Sequence, residues 1–221
     1  MCGRFTLRQP PSVMIDQLQL QFPEIAPRYN IAPLQTVPVV RQSAKRGKYE
    51  VALMRWGLVP SWADDPKIGN RMINARSETA ATKPSFRSAM KKRRCLIPTD
   101  GYYEWQATDG AKQPYLFHMA HDHDFALAGL WEHWAPEGQS PLDTFTILTT
   151  EANRQTAKYH DRMPVILEPD DWTAWLDPEF EDARHLQSLL RPTDTKLVID
   201  PASRRTNNPR HDAPDCLSPD S

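Results

Sequence analysis

Cys95-Leu96-Ile97-Pro98 and Gly101-Tyr102-Tyr103-Glu104-Trp105-Gln106 decide how this chain is read. Both are short runs of apolar and aromatic residues, and only Thr99 and Asp100 stand between them. Runs of this kind, bounded by turn formers, read as β-strands. Working outward, Cys2–Leu7, Thr36–Arg41, Tyr49–Val59, Tyr115–Met119, Phe125–Trp131, Thr144–Thr149 and Lys196–Ile199 share the same character. Helices are predicted at Ser12–Phe22, with Ser12 as cap, and at Ser85–Lys92, Pro169–Leu176 and Asp182–Leu190. Strand and helix do not alternate as βαβ units require. The expected fold class is therefore α+β: a single sheet-centred domain of many short, mainly antiparallel strands with a few peripheral helices.

The 221 residues carry no internal repeat and no interdomain linker; with 21 prolines against 8 glycines, the chain is punctuated by turns. One domain is expected over residues 1–208, and residues 209–221 are expected to form a disordered tail. An apolar share of 39% and a charged share of 25% suit a soluble globular protein. The net charge of −1 hides an uneven distribution. Lys83, Arg87, Lys91, Lys92, Arg93 and Arg94 follow one another without an acid, while Glu168, Asp170, Asp171, Asp177, Glu179, Glu181 and Asp182 gather later. A neutral chain can thus still present a basic face, although a solvated helix face reads the same way.

Three cysteines, Cys2, Cys95 and Cys216, show neither metal-ligand spacing nor a disulfide framework, which fits a reducing cytoplasm. No apolar run reaches the roughly 20 residues of a membrane span. The position of Cys2 matters more than the count. Removal of Met1 before a small residue would leave a terminus bearing a thiol beside an α-amine. That amine has a pKa of about 7.7–8.0, so a useful fraction is neutral and nucleophilic at pH 7. An amine that captures an aldehyde can be closed upon by the adjacent thiol, giving a five-membered thiazolidine. An ordinary buried cysteine is the competing reading.

Six stretches are unusually polar or aromatic for their surroundings: Met1-Cys2-Gly3-Arg4-Phe5, Arg28-Tyr29-Asn30-Ile31-Ala32-Pro33, Trp56-Gly57-Leu58-Val59-Pro60-Ser61-Trp62, Ile73-Asn74-Ala75-Arg76-Ser77-Glu78, Gly101-Tyr102-Tyr103-Glu104-Trp105 and His160-Asp161-Arg162-Met163-Pro164. In this order, over nearly the whole chain, the sequence resembles the SRAP family, the SOS-response-associated peptidase-like proteins that crosslink to abasic sites in single-stranded DNA. The loop Ala63–Arg71 and the segment Asp200–Asn208 follow the family pattern only in part.

The resemblance implies that Cys2 forms the thiazolidine with the ring-opened sugar and shields the lesion. It implies that Glu104 moves protons during imine formation. By its residues alone, Glu104 shares a strand face with Tyr102 and Gln106 and could equally lie on a wet sheet face. The resemblance places His160, a side chain that titrates near neutrality, at the site as proton donor, and gives Asn74 the positioning of Cys2 and the lesion. Arg4, Arg76 and Arg162 become phosphate or sugar ligands through their bidentate forks. Asn30 and Pro33 shape the cleft, and Trp56 and Trp62 are candidates for contact with bases; two tryptophans beside a turn also read as core. No metal and no cofactor is expected, the partner is single-stranded DNA containing abasic sites, and a cytoplasmic, nucleoid-associated monomer is anticipated. Two alternatives remain open: a thiol peptidase whose N-terminal Cys2 acts on peptides or on Met1, and a non-covalent single-strand binder.

Overall fold

Strand pairing sorts the chain into two sheets. The computed structural model describes residues 2–45, 47–108 and 111–219. Its strands in chain order begin with β1 (Phe5–Leu7), β2 (Arg28–Ile31), β3 (Thr36–Gln42), β4 (Tyr49–Trp56), β5 (Asn74–Arg76) and β6 (Arg94–Thr99). Next come β7 (Gly101–Thr108), β8 (Ala111–His118), β9 (Phe125–Trp134), β10 (Leu142–Glu151), β11 (Arg162–Pro164), β12 (Ile166–Leu167) and β13 (Val198–Pro201). The helices are short: α1 (Ser12–Leu18), α2 (Ser77–Ala80), α3 (Arg87–Lys92), α4 (Trp172–Leu176) and α5 (Ala183–Leu189). The architecture is α+β and mainly antiparallel, as the sequence suggests.

The smaller sheet runs β13-β8-β7-β1-β2. In the larger one, β10, β4, β3, β6 and β9 pair in sequence and β9 returns to β10, so five strands close into a small barrel. Gly129 sits at that closure, opposite both Cys95 and Ile147. A Cβ there would meet the tip of the Ile97 side chain at 2.2 Å and the Thr146 carbonyl oxygen at 3.0 Å, so a larger residue must displace Ile97. Beyond the barrel, the far half of β10 gathers two short strands. Thr149 pairs in parallel with Arg76 of β5 and antiparallel with Pro164 of β11, which requires the two partners to occupy opposite edges of β10.

Apolar side chains fill two main layers. Met14, Leu18, Met90, Trp172, Trp175 and Leu186 pack between the barrel strands and the helices. Cys2, Phe5, Tyr102 and Phe117 of the smaller sheet meet Trp56 and Phe145 of the larger one in the second layer.

Several boundaries shift from the sequence reading. The first strand starts at Phe5, not Cys2, and β4 stops at Trp56, because Gly57 turns at φ +125. The first helix ends at Leu18, where Gln19 takes a left-handed conformation, and the 169–176 helix is a 3-10 turn followed by α4. Within the basic run, Arg94 is buried and its guanidinium donates to the carbonyls of Met90, Lys91, Trp175 and Asp177. It caps and staples helices and is no part of an open basic face.

The segment expected to be a disordered tail is a correction. Through Pro219 it is ordered and packed: Cys216 is fully buried, and the Asp212 carboxylate accepts from the main-chain N–H groups of Tyr29 and Asn30 at 2.6 and 2.9 Å. Its prolines and acids read as unstructured, yet its own polar groups close off the edge of β2. No described helix is long and apolar enough to cross a membrane.

Candidate functional site

Cys2 is fully buried just ahead of β1. Its main-chain oxygen accepts a hydrogen bond of 2.8 Å from the Asn74 side-chain amide, and its thiol makes a weak contact with the Arg4 carbonyl at 4.0 Å. Burial, reinforced by the nearby Glu104 charge, pushes the thiol pKa up, so the resting sulfur is protonated. Asn74 reaches Cys2 because β5 lies along β10, with Asn74 opposite Ile147. The Asn74 carbonyl oxygen is buried and has no hydrogen-bond partner among the described residues.

Glu104 stands on β7 opposite Tyr115 and is nearly buried. The alternation that sets it on one face with Tyr102 directs it inward, and the wet-face reading falls away. Burial raises its pKa to about 7. Near neutrality this carboxyl can therefore both give and take a proton.

His160 follows a 3-10 turn at Thr156–Lys158, where its main-chain N–H bonds to the Thr156 carbonyl at 3.1 Å. Burial lowers its pKa, so the ring is neutral at neutral pH. The Arg162 main-chain N–H donates to its Nδ1 at 2.9 Å, which leaves Nε2 as the protonated nitrogen of the neutral ring. The same Nδ1 lies 2.7 Å from the Asp161 carboxylate, an ion pair once the ring is charged.

Glu104 and His160 line one cavity of about 590 Å³ together with Gly3, Arg4, Trp105, Lys112 and Asn207. The Trp105 indole N–H donates to the Asn207 side chain at 2.6 Å, and the Arg4 guanidinium lies 5.7 Å from the Trp105 ring centre. The sequence reading gave no site role to Trp105, Lys112 or Asn207. Trp105 stood beside Glu104 in a motif already marked, but only the smaller sheet's pairing with the downstream segment gives it a partner.

The expected nucleic-acid ligands separate into groups. Arg76 is exposed at the end of β5. Arg162 is held by Glu78 through two bonds of 2.6 and 2.9 Å and donates to the Thr149 carbonyl at 2.6 Å. Arg4 donates to the Asn30 side chain and the Thr206 carbonyl at 2.9 and 2.7 Å while forming part of the cavity wall. Trp62 is 59% exposed on the loop after β4. Pro33 is half-buried in the turn after β2, away from the cavity lining.

Trp56 does not stand where the sequence reading put it, and Asn30 acts from behind the cavity wall. Trp56 is fully buried, edge-on to Phe5 and stacked near Phe145, with its indole N–H on the Ile73 carbonyl at 2.8 Å. It is core, and unavailable to a base. Asn30 is also fully buried; its amide donates to the carbonyls of Thr206, Asn208 and His211 at 3.2, 3.1 and 2.7 Å. It fastens the downstream segment and accepts from Arg4, which lines the cavity, without lining the cavity itself.

The chain is similar to several known proteins. The family described as SOS response associated peptidase (SRAP) matches residues 1–209. Abasic site processing protein YoqW of Bacillus subtilis is 42% identical over 98% of this chain and 99% of its own length. Abasic site processing protein HMCES of Gallus gallus is 35% identical over 87% of this chain and 66% of its own. Among solved structures, a Bacteroides thetaiotaomicron protein superposes with a TM-score of 0.87, covering all of both chains at 26% identity.

Proposed function

The chain belongs to the SOS response associated peptidase (SRAP) family, and from that premise we propose that it processes abasic sites in single-stranded DNA by covalent capture through Cys2. The observation that carries this reading is the buried carboxyl of Glu104, raised to about 7 beside Cys2 and sharing a cavity with His160. Relatives named abasic site processing proteins support the substrate.

With Met1 removed, the neutral Cys2 amine attacks the aldehyde carbon of the ring-opened sugar. The C–N bond forms and the carbonyl π pair moves to oxygen. Both protons of the amine end on that oxygen: Glu104 takes each in turn from nitrogen and returns it to the oxygen, which His160 holds by a hydrogen bond from Nε2, and the oxygen leaves as water to give the imine. The Cys2 sulfur then adds to the same carbon. The S–C bond forms, the C=N π pair returns to nitrogen, and the thiol proton ends there. Every step is addition or proton transfer at one carbon, so the scheme needs no metal. Asn74 fixes the main chain of Cys2 and so limits the angles of approach.

Trp105 beside the cavity and the exposed Trp62 suit base stacking, and Arg76 and Arg162 suit phosphate. Such contacts read the backbone and the π-faces of bases, not their sequence. The reading is tested by incubating the protein with an oligonucleotide bearing one abasic site and running a denaturing gel. A shifted band in wild type that is absent in Cys2→Ala is expected, while Cys2→Ser yields a species seen only after borohydride trapping. A wild type that gives no shifted band would overturn the reading, and cleavage of peptides instead would favour the thiol peptidase.

A further inference from the structure

Tyr102 is among the largest fully buried side chains, its ring stacked on Phe117 at 4.9 Å between centres. Its hydroxyl is also buried and has no hydrogen-bond partner among the described residues. A phenol O–H shut away from water without a partner is destabilising, and a phenylalanine would fill the same space without that cost. The neighbouring phenol, Tyr103, donates to the Tyr29 carbonyl at 2.8 Å, so a partner is found where the fold alone requires one.

The surroundings of Tyr102 are those of the reacting cysteine. It pairs with Phe5 across β1 and β7, precedes Glu104 on the same face, and packs in the apolar layer that contains Cys2. Burial foremost, then the charges of Cys2 and Glu104, raise its pKa. It is therefore a neutral donor throughout the physiological range.

Ring closure creates the need for such a donor. The Cys2 sulfur must shed its proton while enclosed by apolar groups and near a carboxylate, both of which oppose a thiolate. The Asn74 amide is committed to the Cys2 carbonyl. We propose that the Tyr102 hydroxyl is a catalytic hydrogen-bond donor to the Cys2 sulfur during thiazolidine closure. The Tyr102 proton is not consumed: the S–C bond forms, the C=N pair goes to nitrogen, and the thiol proton follows it. This assignment rests on the proposed covalent capture.

Tyr102→Phe tests it, with one affinity, two rates and one stability measured side by side. Affinity for an intact single strand, by fluorescence anisotropy, and the rate of borohydride-trapped imine are expected to stay within about twofold of wild type. Formation of the crosslink that survives without borohydride is expected to slow by roughly ten- to a hundredfold, with its alkaline limb shifted to higher pH. The melting temperature is expected to hold or rise, since an unpartnered hydroxyl has been removed. An unchanged closure rate overturns the proposal, and so does equal slowing of imine formation and closure or a fall in stability. A wild type that forms no covalent band would instead defeat the capture reading itself.

Discussion

The Asn74 amide and the Cys2 carbonyl oxygen, 2.8 Å apart, join β5 to the start of the chain across 72 positions of sequence. The bond restrains the residue to which the capture is proposed to belong. Asn74→Ala leaves the buried carbonyl unpaired and is expected to cost about 1–3 kcal/mol of stability. Asn74→Asp sets a carboxylate against that oxygen and should be worse. Denaturant melts at pH 7, together with crosslinking rates at saturating DNA, check both; a variant that melts and reacts as wild type would deny the restraint.

Glu104 makes the site pH-dependent in two measurable ways. Its folded-state pKa of about 7 lies above the usual 4.5, so the folded protein holds this proton more tightly than the unfolded chain does. Its contribution to stability is complete below about pH 4.5 and is lost as pH rises through 7, by an amount on the order of 3 kcal/mol. Glu104→Gln is expected to flatten that decline in melts at pH 5 and pH 8. The same substitution removes the rising limb of the crosslinking rate centred near pH 7. A wild-type profile without an inflection there would contradict the role.

Arg162 and Glu78 form a fork with 13% and 49% of their side chains exposed. A DNA phosphate at Arg162 must take the place of the Glu78 carboxylate. Arg162→Gln is expected to weaken binding to intact single strands and to reduce the salt slope by about 1. Glu78→Gln is expected to strengthen binding by a few-fold, because a half-exposed pair contributes no more than about 1 kcal/mol. Titrations at several salt concentrations distinguish them.

The two tryptophans flanking Gly57-Leu58-Val59-Pro60-Ser61 should behave oppositely. Trp56→Ala empties a site between Phe5 and Phe145 and is expected to cost about 3–5 kcal/mol of stability. Trp62→Ala should leave the melt unchanged while weakening single-strand binding by about 1–3 kcal/mol. Thermal melts and anisotropy on the same preparations separate the two.

Strands were legible where β-branched and aromatic residues crowd together, as in Thr36–Gln42 and Phe125–Trp134, because such runs suit a pleated, half-buried surface. Strands β5, β11 and β12 hold two or three residues each and carry no periodicity of their own. Their pairing with β9 and β10 makes them, and that is long-range information. Glu104 could be placed on a face by alternation, but its inward direction depended on which side the second sheet lay. Of the two tryptophans, Trp62 stands in the polar stretch Ser61-Trp62-Ala63-Asp64-Asp65, which marks it in sequence as the better candidate for exposure, and it is the exposed one. The segment after Pro209 was misread because its order comes from partners on β2, the Asn30 amide and the Tyr29 and Asn30 N–H groups, and it bears no local mark of them.

Arg4 finds its Thr206 acceptor 202 positions downstream, and the wall it forms with Trp105 and Asn207 is likewise drawn from distant parts of the chain. A substitution that loosens the downstream segment would therefore be felt at the cavity wall without altering any side chain that faces the cavity.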